Sequence, residues 1–251
     1  MRLQHSRCYW SFAALGEILV VLFLLGCNSL PGRPGPDPEV VRPDEVLDFN
    51  TLYKQNCSAC HGAEGKGGAA VSLADPVYLA VVADTTLRQV MTNGVPGTPM
   101  RGFARNAGGM LTDRQIDVLV REIRTRWAKP DGLRGQSPPS YSSSPGDAGR
   151  GAGVYQTFCA SCHGPDGKGG SKAHSIVDGS YLALVSDQGL RTTVIVGVPN
   201  VGAPDWRGNV PGRPMTDQEI SDVVAWVVAQ RPQFPGQPYP TSPGPATGGS
   251  Q

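Results

Sequence analysis

One short pattern, Cys-x-x-Cys-His, occurs twice in this 251-residue chain, as Cys57, Cys60, His61 and again as Cys159, Cys162, His163, 102 positions further on. Two thiols so spaced on one turn of backbone can each add to a vinyl group of a porphyrin, and the adjacent imidazole then falls under the iron as its proximal ligand. The pattern is the attachment signature of a c-type haem. Its duplication predicts two covalently held haems, through Cys57 and Cys60 in one case and Cys159 and Cys162 in the other, with His61 and His163 on the irons. Other uses of paired cysteines fit less well. A structural zinc site wants four N or S ligands, with its cysteine pairs ~15 to 20 residues apart. A redox dithiol would follow a strand of a βαβ unit and has no need of the histidine.

The surroundings of the motif are duplicated too. His-Gly-Ala-Glu-Gly-Lys-Gly-Gly from His61 is matched by His-Gly-Pro-Asp-Gly-Lys-Gly-Gly from His163, Tyr78-Leu79-Ala80 by Tyr181-Leu182-Ala183, Leu87-Arg88 by Leu190-Arg191, and Gly94-Val95-Pro96 by Gly197-Val198-Pro199. The chain is an internal repeat of two units of roughly 85 residues.

Each unit has the same helical outline, so the fold class is all-α. Val46, Phe49, Leu52 and Tyr53 share a helix face that leads into Cys57, and Val154, Tyr155 and Phe158 do so before Cys159. A short middle helix carries Leu87, Val90 and Met91 and is stopped by Gly94. The last helices are the clearest. Thr112 with Gln115 makes a capping box, Leu111 and Ile116 its hydrophobic staple, and Ile116, Leu119, Val120 and Ile123 keep helical spacing. Thr216 with Glu219, Met215 with Ile220, and Val223, Val224 and Val227 repeat that design.

Fifteen of the 23 prolines fall in three stretches, Asn28 to Asp44, Pro130 to Gly149 and Pro232 to Gln251. Rich also in Gly and Ser, these are expected to form no helix and bury no core. The resulting plan is a processing segment over 1–27, a flexible tether over 28–44, a first domain over 45–129, a linker over 130–149, a second domain over 150–231 and a disordered tail over 232–251. In the first segment Arg2, His5 and Arg7 precede a short apolar run, Ile18 to Leu25. That run is too short to span a membrane, which takes ~20 residues. It closes on Leu24-Leu25-Gly26-Cys27, which resembles the lipobox of bacterial lipoproteins. The resemblance implies export and a lipidated Cys27 as membrane anchor. The formal net charge is +1, and zero without residues 1–27. No basic field argues for nucleic acid as a partner.

With these residues in place, the chain resembles the class I c-type cytochromes in a tandem dihaem arrangement, over residues 45–129 and 150–231. The resemblance implies two domains of a few short helices wrapped around covalent haem, haem attachment outside the cytoplasm, and electron exchange with a redox protein, expected to be a membrane respiratory or photosynthetic complex. The haem motif, the Gly-Lys-Gly-Gly loop and the terminal helix carry it.

Function then turns on the sixth position of each iron, since a methionine there favours electron transfer and an empty site admits small ligands. Met91 fits the apolar face of its helix, and Met110 stands in a Gly-Gly loop. Met100, in Gly97-Thr98-Pro99-Met100-Arg101-Gly102-Phe103, resembles the family's distal-methionine loop and is expected to bind the first iron. The second unit reads Gly197-Val198-Pro199-Asn200-Val201-Gly202-Ala203-Pro204-Asp205-Trp206, without methionine. Met215, which occupies the staple position of Leu111, His174, which follows His163 on the proximal side, water, or no ligand at all remain open there. The alternative function is a haem enzyme acting on peroxide or sulfur compounds at an open second haem, with His174 or Asp205 as the acid or base.

Overall fold

The computed structural model describes residues 40–142 and 144–232. The segment over 1–27 with Cys27, most of the expected tether, and the tail beyond Pro232 lie outside the described residues. Among the described residues there are helices and isolated bridges only, and no helix is long and apolar enough to cross a membrane.

The first unit opens on a 3-10 turn at Pro43–Glu45 and continues with α1 (Phe49–Asn56), α2 (Ser58–His61), α3 (Pro76–Val81), α4 (Asp84–Asn93) and α5 (Asp113–Trp127). Helix α1 begins later than the apolar pattern suggests, because the carboxylate of Asp48 caps it by accepting from the Thr51 amide at 2.8 Å. Val46 packs against the core from outside the helix. The capping box of α5 forms as expected, with Thr112 Oγ1 accepting from the Gln115 amide and Gln115 Oε1 from the Thr112 amide. The Gln115 amide group also donates to the carbonyls of Pro43 and Val46 at 2.8 and 3.0 Å. Residues 43 and 44, assigned to the tether from sequence, are thus tied to the first unit.

Ile116, Leu119 and Ile123 turn the buried face of α5 toward α1, and Phe49 and Tyr53 meet the ring of Trp127 edge-on at 5.8 and 5.2 Å. Arg124 of α5 donates to the carbonyls of Leu79 and Val82 and pairs with Asp84, which clamps the exit of α3 and the start of α4.

The second unit repeats this order with α6 (Ala148–Phe158), α7 (Ala160–His163), α8 (Gly179–Leu184), α9 (Asp187–Val196) and α10 (Asp217–Val228). Thr216 and Glu219 close the second capping box. Tyr155 stacks on Trp226 at 4.1 Å where α6 crosses α10. The clamp recurs through Arg231, which donates to the carbonyls of Leu182 and Val185, both at 3.0 Å, and pairs with Asp187 at 2.9 Å.

The linker forms no helix before residue 148, yet it is not the unburied stretch that its composition suggests. Pro139 is buried. The fully buried Arg191 donates to the Ser140 carbonyl at 2.8 Å and to Asp217 at 2.5 Å, and Asp217 in turn accepts from the Ser140 amide. Gln188 holds the Tyr141 carbonyl at 2.8 Å. Polar side chains of α9 and α10, the former donating and the latter accepting, outcompete the low propensity of this stretch for order. At its end, Asp222 accepts from the Asp147 amide at 2.8 Å, and Asp147 caps α6. Helix α3 packs against α9, and one apolar cluster runs through both units.

Candidate haem-binding sites

Each motif sits where one helix ends and a one-turn helix begins. In the first unit α1 delivers Cys57 and α2 carries Cys60 and His61; in the second, α6 delivers Cys159 and α7 carries Cys162 and His163. All four cysteines are free thiols, with the first of each pair half-buried and the second exposed. Burial pushes the Cys57 thiol up to about 12 and the Cys159 thiol to about 11, with the neighbouring cysteine adding to the effect. Thiols so raised stay protonated at neutral pH, the opposite of the activated thiolate that a redox dithiol requires. Among the described residues no cluster of three His, Cys, Asp or Glu side chains stands ready to hold a metal ion.

The imidazoles are held alike. His61 Nδ1 lies 2.8 Å from the Val71 carbonyl, and His163 Nδ1 lies 2.8 Å from the His174 carbonyl. A carbonyl can only accept, so Nδ1 carries the proton and Nε2 keeps its lone pair for a metal. Burial lowers the pKa of His61, which favours the neutral, ligating form. The donor set of each motif, two accessible thiols and one imidazole with an oriented lone pair, suits an iron porphyrin.

Two supports for this arrangement escaped sequence reasoning. The Tyr53 hydroxyl donates to the Gly62 carbonyl at 2.9 Å and that of Tyr155 to the Gly164 carbonyl at 2.5 Å, so a tyrosine on each first helix fixes the turn just after the histidine. The signal was present, a Tyr four residues before the first Cys in both copies. The supporting carbonyls of Val71 and His174 have no sequence signal, because backbone carbonyls are common to all residues.

Met100 and its surroundings occupy one loop between α4 and α5, tied by donation from the Val95 amide to the Met100 carbonyl at 2.7 Å. Met100 is half-buried. Met91 is buried in the core and Met110 is 79% exposed. In the second unit His174 serves through its backbone, on the proximal side. Asp205, the other candidate acid or base, is engaged: its carboxylate is 18% exposed and paired with Arg207 at 2.5 Å, while Arg207 lies over the Trp206 ring and donates to the Leu133 carbonyl at 2.9 Å.

Comparison with known proteins agrees with this reading of both halves. The family model for cytochrome c matches residues 148–230, and that for cytochrome c oxidase, cbb3-type, subunit III matches residues 44–121. The cytochrome bc1 complex cytochrome c subunit of Mycobacterium bovis is 26% identical over 88% of this chain and 78% of its own length. The cbb3-type cytochrome c oxidase subunit CcoP of Azospirillum sp. is 31% identical over 52% of this chain and 45% of its own. Among solved structures, the Kuenenia stuttgartiensis reducing HAO-like protein complex matches with a TM-score of 0.44 and 18% identity, over 77% of this chain and 100% of that one. Helices without strands among the described residues, two haem-attachment motifs with matching imidazole supports, and a cytochrome model on each half lead to one conclusion: the chain belongs to the class I c-type cytochromes, with two such domains in tandem.

Proposed function

We propose that this cytochrome carries two haems and moves electrons outside the cytoplasm, to or from a membrane respiratory complex. Cys57 with Cys60 and Cys159 with Cys162 would hold the porphyrins through thioethers, His61 and His163 would supply the proximal nitrogens, and Met100 the distal sulfur of the first site. Haem so bound supplies a one-electron centre. The observation that carries the reading is the pair of imidazoles, each with Nδ1 at 2.8 Å from a backbone carbonyl directly after two free thiols. That geometry is present twice, and both relatives named above are subunits of respiratory assemblies. Of the two candidates for an acid or base in the enzyme alternative, Asp205 is paired with Arg207 and His174 supports the proximal imidazole through its carbonyl.

In this reading residues 1–27 direct export, lipidated Cys27 anchors the chain, 28–42 tether it, and 45–129 and 150–231 are the two domains, with 43 and 44 tied to the first. Anchoring of this kind keeps docking local. No nucleic acid is expected as a partner. The test is expression in a host competent for cytochrome maturation. Mass and haem content should show two haems per chain, with the protein in the membrane fraction and a Cys27→Ala variant released from it. Colourless protein, or fewer than two haems, would overturn the reading.

A further inference from the structure

We infer that the second haem site has no protein ligand on its distal side and is a binding site for small neutral diatomic molecules. The inference rests on the two-haem reading. Its argument is the correspondence between the two distal loops, which the repeat and two matching hydrogen bonds set. In the first unit the Val95 amide donates to the Met100 carbonyl at 2.7 Å and the Leu111 amide to the Phe103 carbonyl at 2.8 Å. In the second, the Val198 amide donates to the Ala203 carbonyl at 3.0 Å and the Met215 amide to the Trp206 carbonyl at 2.9 Å. Ala203 therefore stands where Met100 stands, Trp206 where Phe103 stands, and Met215 where Leu111 stands.

Past His163 the chain has one methionine and one histidine, Met215 and His174. Met215 is buried at 3% exposure in the staple position, its amide tied to Trp206 and its sulfur 4.0 Å from Asn209 Nδ2. His174 supports the proximal imidazole through its carbonyl. Neither reaches across to the distal side without breaking the correspondence just described. Alanine ends at the carbon that in methionine bears a methylene, a sulfur and a methyl group. The bond from Val198 holds Ala203 as the bond from Val95 holds Met100, although only the second loop forms a 3-10 turn at Pro199–Val201, so that volume is left for a ligand of a few atoms. The charged pair in this loop, Asp205 and Arg207, is self-neutralised, which favours a neutral ligand over an anion.

The experiment uses the full-length protein with haem content measured first, so that a chain short of two haems counts against the two-haem reading itself and takes this inference with it. In fully loaded protein, carbon monoxide added to the reduced form should occupy one haem per chain. The oxidised form should show the near-infrared methionine-to-iron band at the intensity of a single haem. Ala203→Met should abolish carbon monoxide binding and double the band. Met215→Leu, a conservative change in the core, should leave both spectra unchanged. Two methionine bands with no carbon monoxide uptake in the parent protein, or a Met215→Leu variant that gains carbon monoxide binding, would overturn the inference.

Discussion

Replacing Gly151 by alanine should destabilise the second domain, although the same change elsewhere in its helix should stabilise it. Helix α6 crosses α10 at Gly151, where an added Cβ would lie 2.7 Å from the Asp222 carbonyl carbon, closer still to its oxygen, and 2.8 Å from the Trp226 Cβ. Carbon atoms pack at about 3.5 to 4.0 Å, so the helices would have to part by roughly 1 Å. The atoms struck are backbone and the root of a side chain, which cannot swing aside. Overpacking of this kind costs about 1 to 3 kcal/mol. The parting would also loosen the Tyr155 and Trp226 stack at 4.1 Å. Against this, alanine gains about 1 kcal/mol over glycine in a helix interior, so the net loss is about 1 kcal/mol and at most about 2. Gly153, on the exposed side of the same helix, has nothing within 4 Å of its added Cβ, so Gly153→Ala isolates the propensity gain of about 1 kcal/mol. Urea unfolding of both variants, followed at the haem Soret band and by far-UV circular dichroism, gives the comparison. If Gly151→Ala were as stable as Gly153→Ala, the close crossing of α6 and α10 would be wrong.

Met100→Ala should turn the first haem high-spin and lower its potential, whereas Met91→Ala should cost about 2 to 5 kcal/mol of stability with an unchanged spectrum; a spectral change in the Met91 variant would reassign the ligand. Asp222 predicts an acid limb. Its bonds from Arg150, the Asp147 amide and Gln218 hold the carboxyl down at about 2, below the unfolded value of about 3.9. Its stabilisation, roughly 2 kcal/mol, is therefore full above pH 4 or so and drains away as pH falls toward 2. Asp222→Asn should lose that amount at pH 7 and show a shallower loss between pH 4 and pH 2 in the same urea titration. An unaltered acid limb would show that the ion pair does not contribute.

The haem motifs, the capping boxes and the buried faces of α1, α5, α6 and α10 were legible because they rest on local spacing. What stayed hidden depends on tertiary partners. Tyr78 and Tyr181 hold the same place in the repeat, yet Tyr78 is buried while Tyr181 is 38% exposed. The difference arises because α3 of the first unit packs on α9 of the second, a contact that the second unit's α8 has no third copy to make. The Trp and Arg of the last helices were hidden in another way. Trp127 and Trp226 both pack on the motif-bearing tyrosine, and Arg124 and Arg231 both clamp the exit of a short helix, but from different turns of α5 and the end of α10. Alignment by sequence pairs none of them. The linker was misjudged because proline and glycine content reports what a stretch cannot do alone, and says nothing of the buried Arg191 that binds the Ser140 carbonyl through two nitrogens.

That linker bears on how two cytochrome domains in one chain work together. Domains joined by a loose connection move relative to one another unless a substantial apolar interface holds them. Here the connection is fixed at both ends and in the middle: Arg207 holds the Leu133 carbonyl, Arg191 and Asp217 hold Ser140, and Asp222 holds Asp147. A continuous apolar cluster runs beneath it, with Tyr78 and Leu79 on one side and Ile195 and Trp206 on the other. One of these holding groups, Arg207, belongs with its partner Asp205 and the stacked Trp206 to the loop whose next turn back carries Ala203. The loop without a methionine is thus also one of the segments that tie the two units together. In the proposed reading its sequence is under two constraints at once: the shape of the interface, and the space above the second haem site.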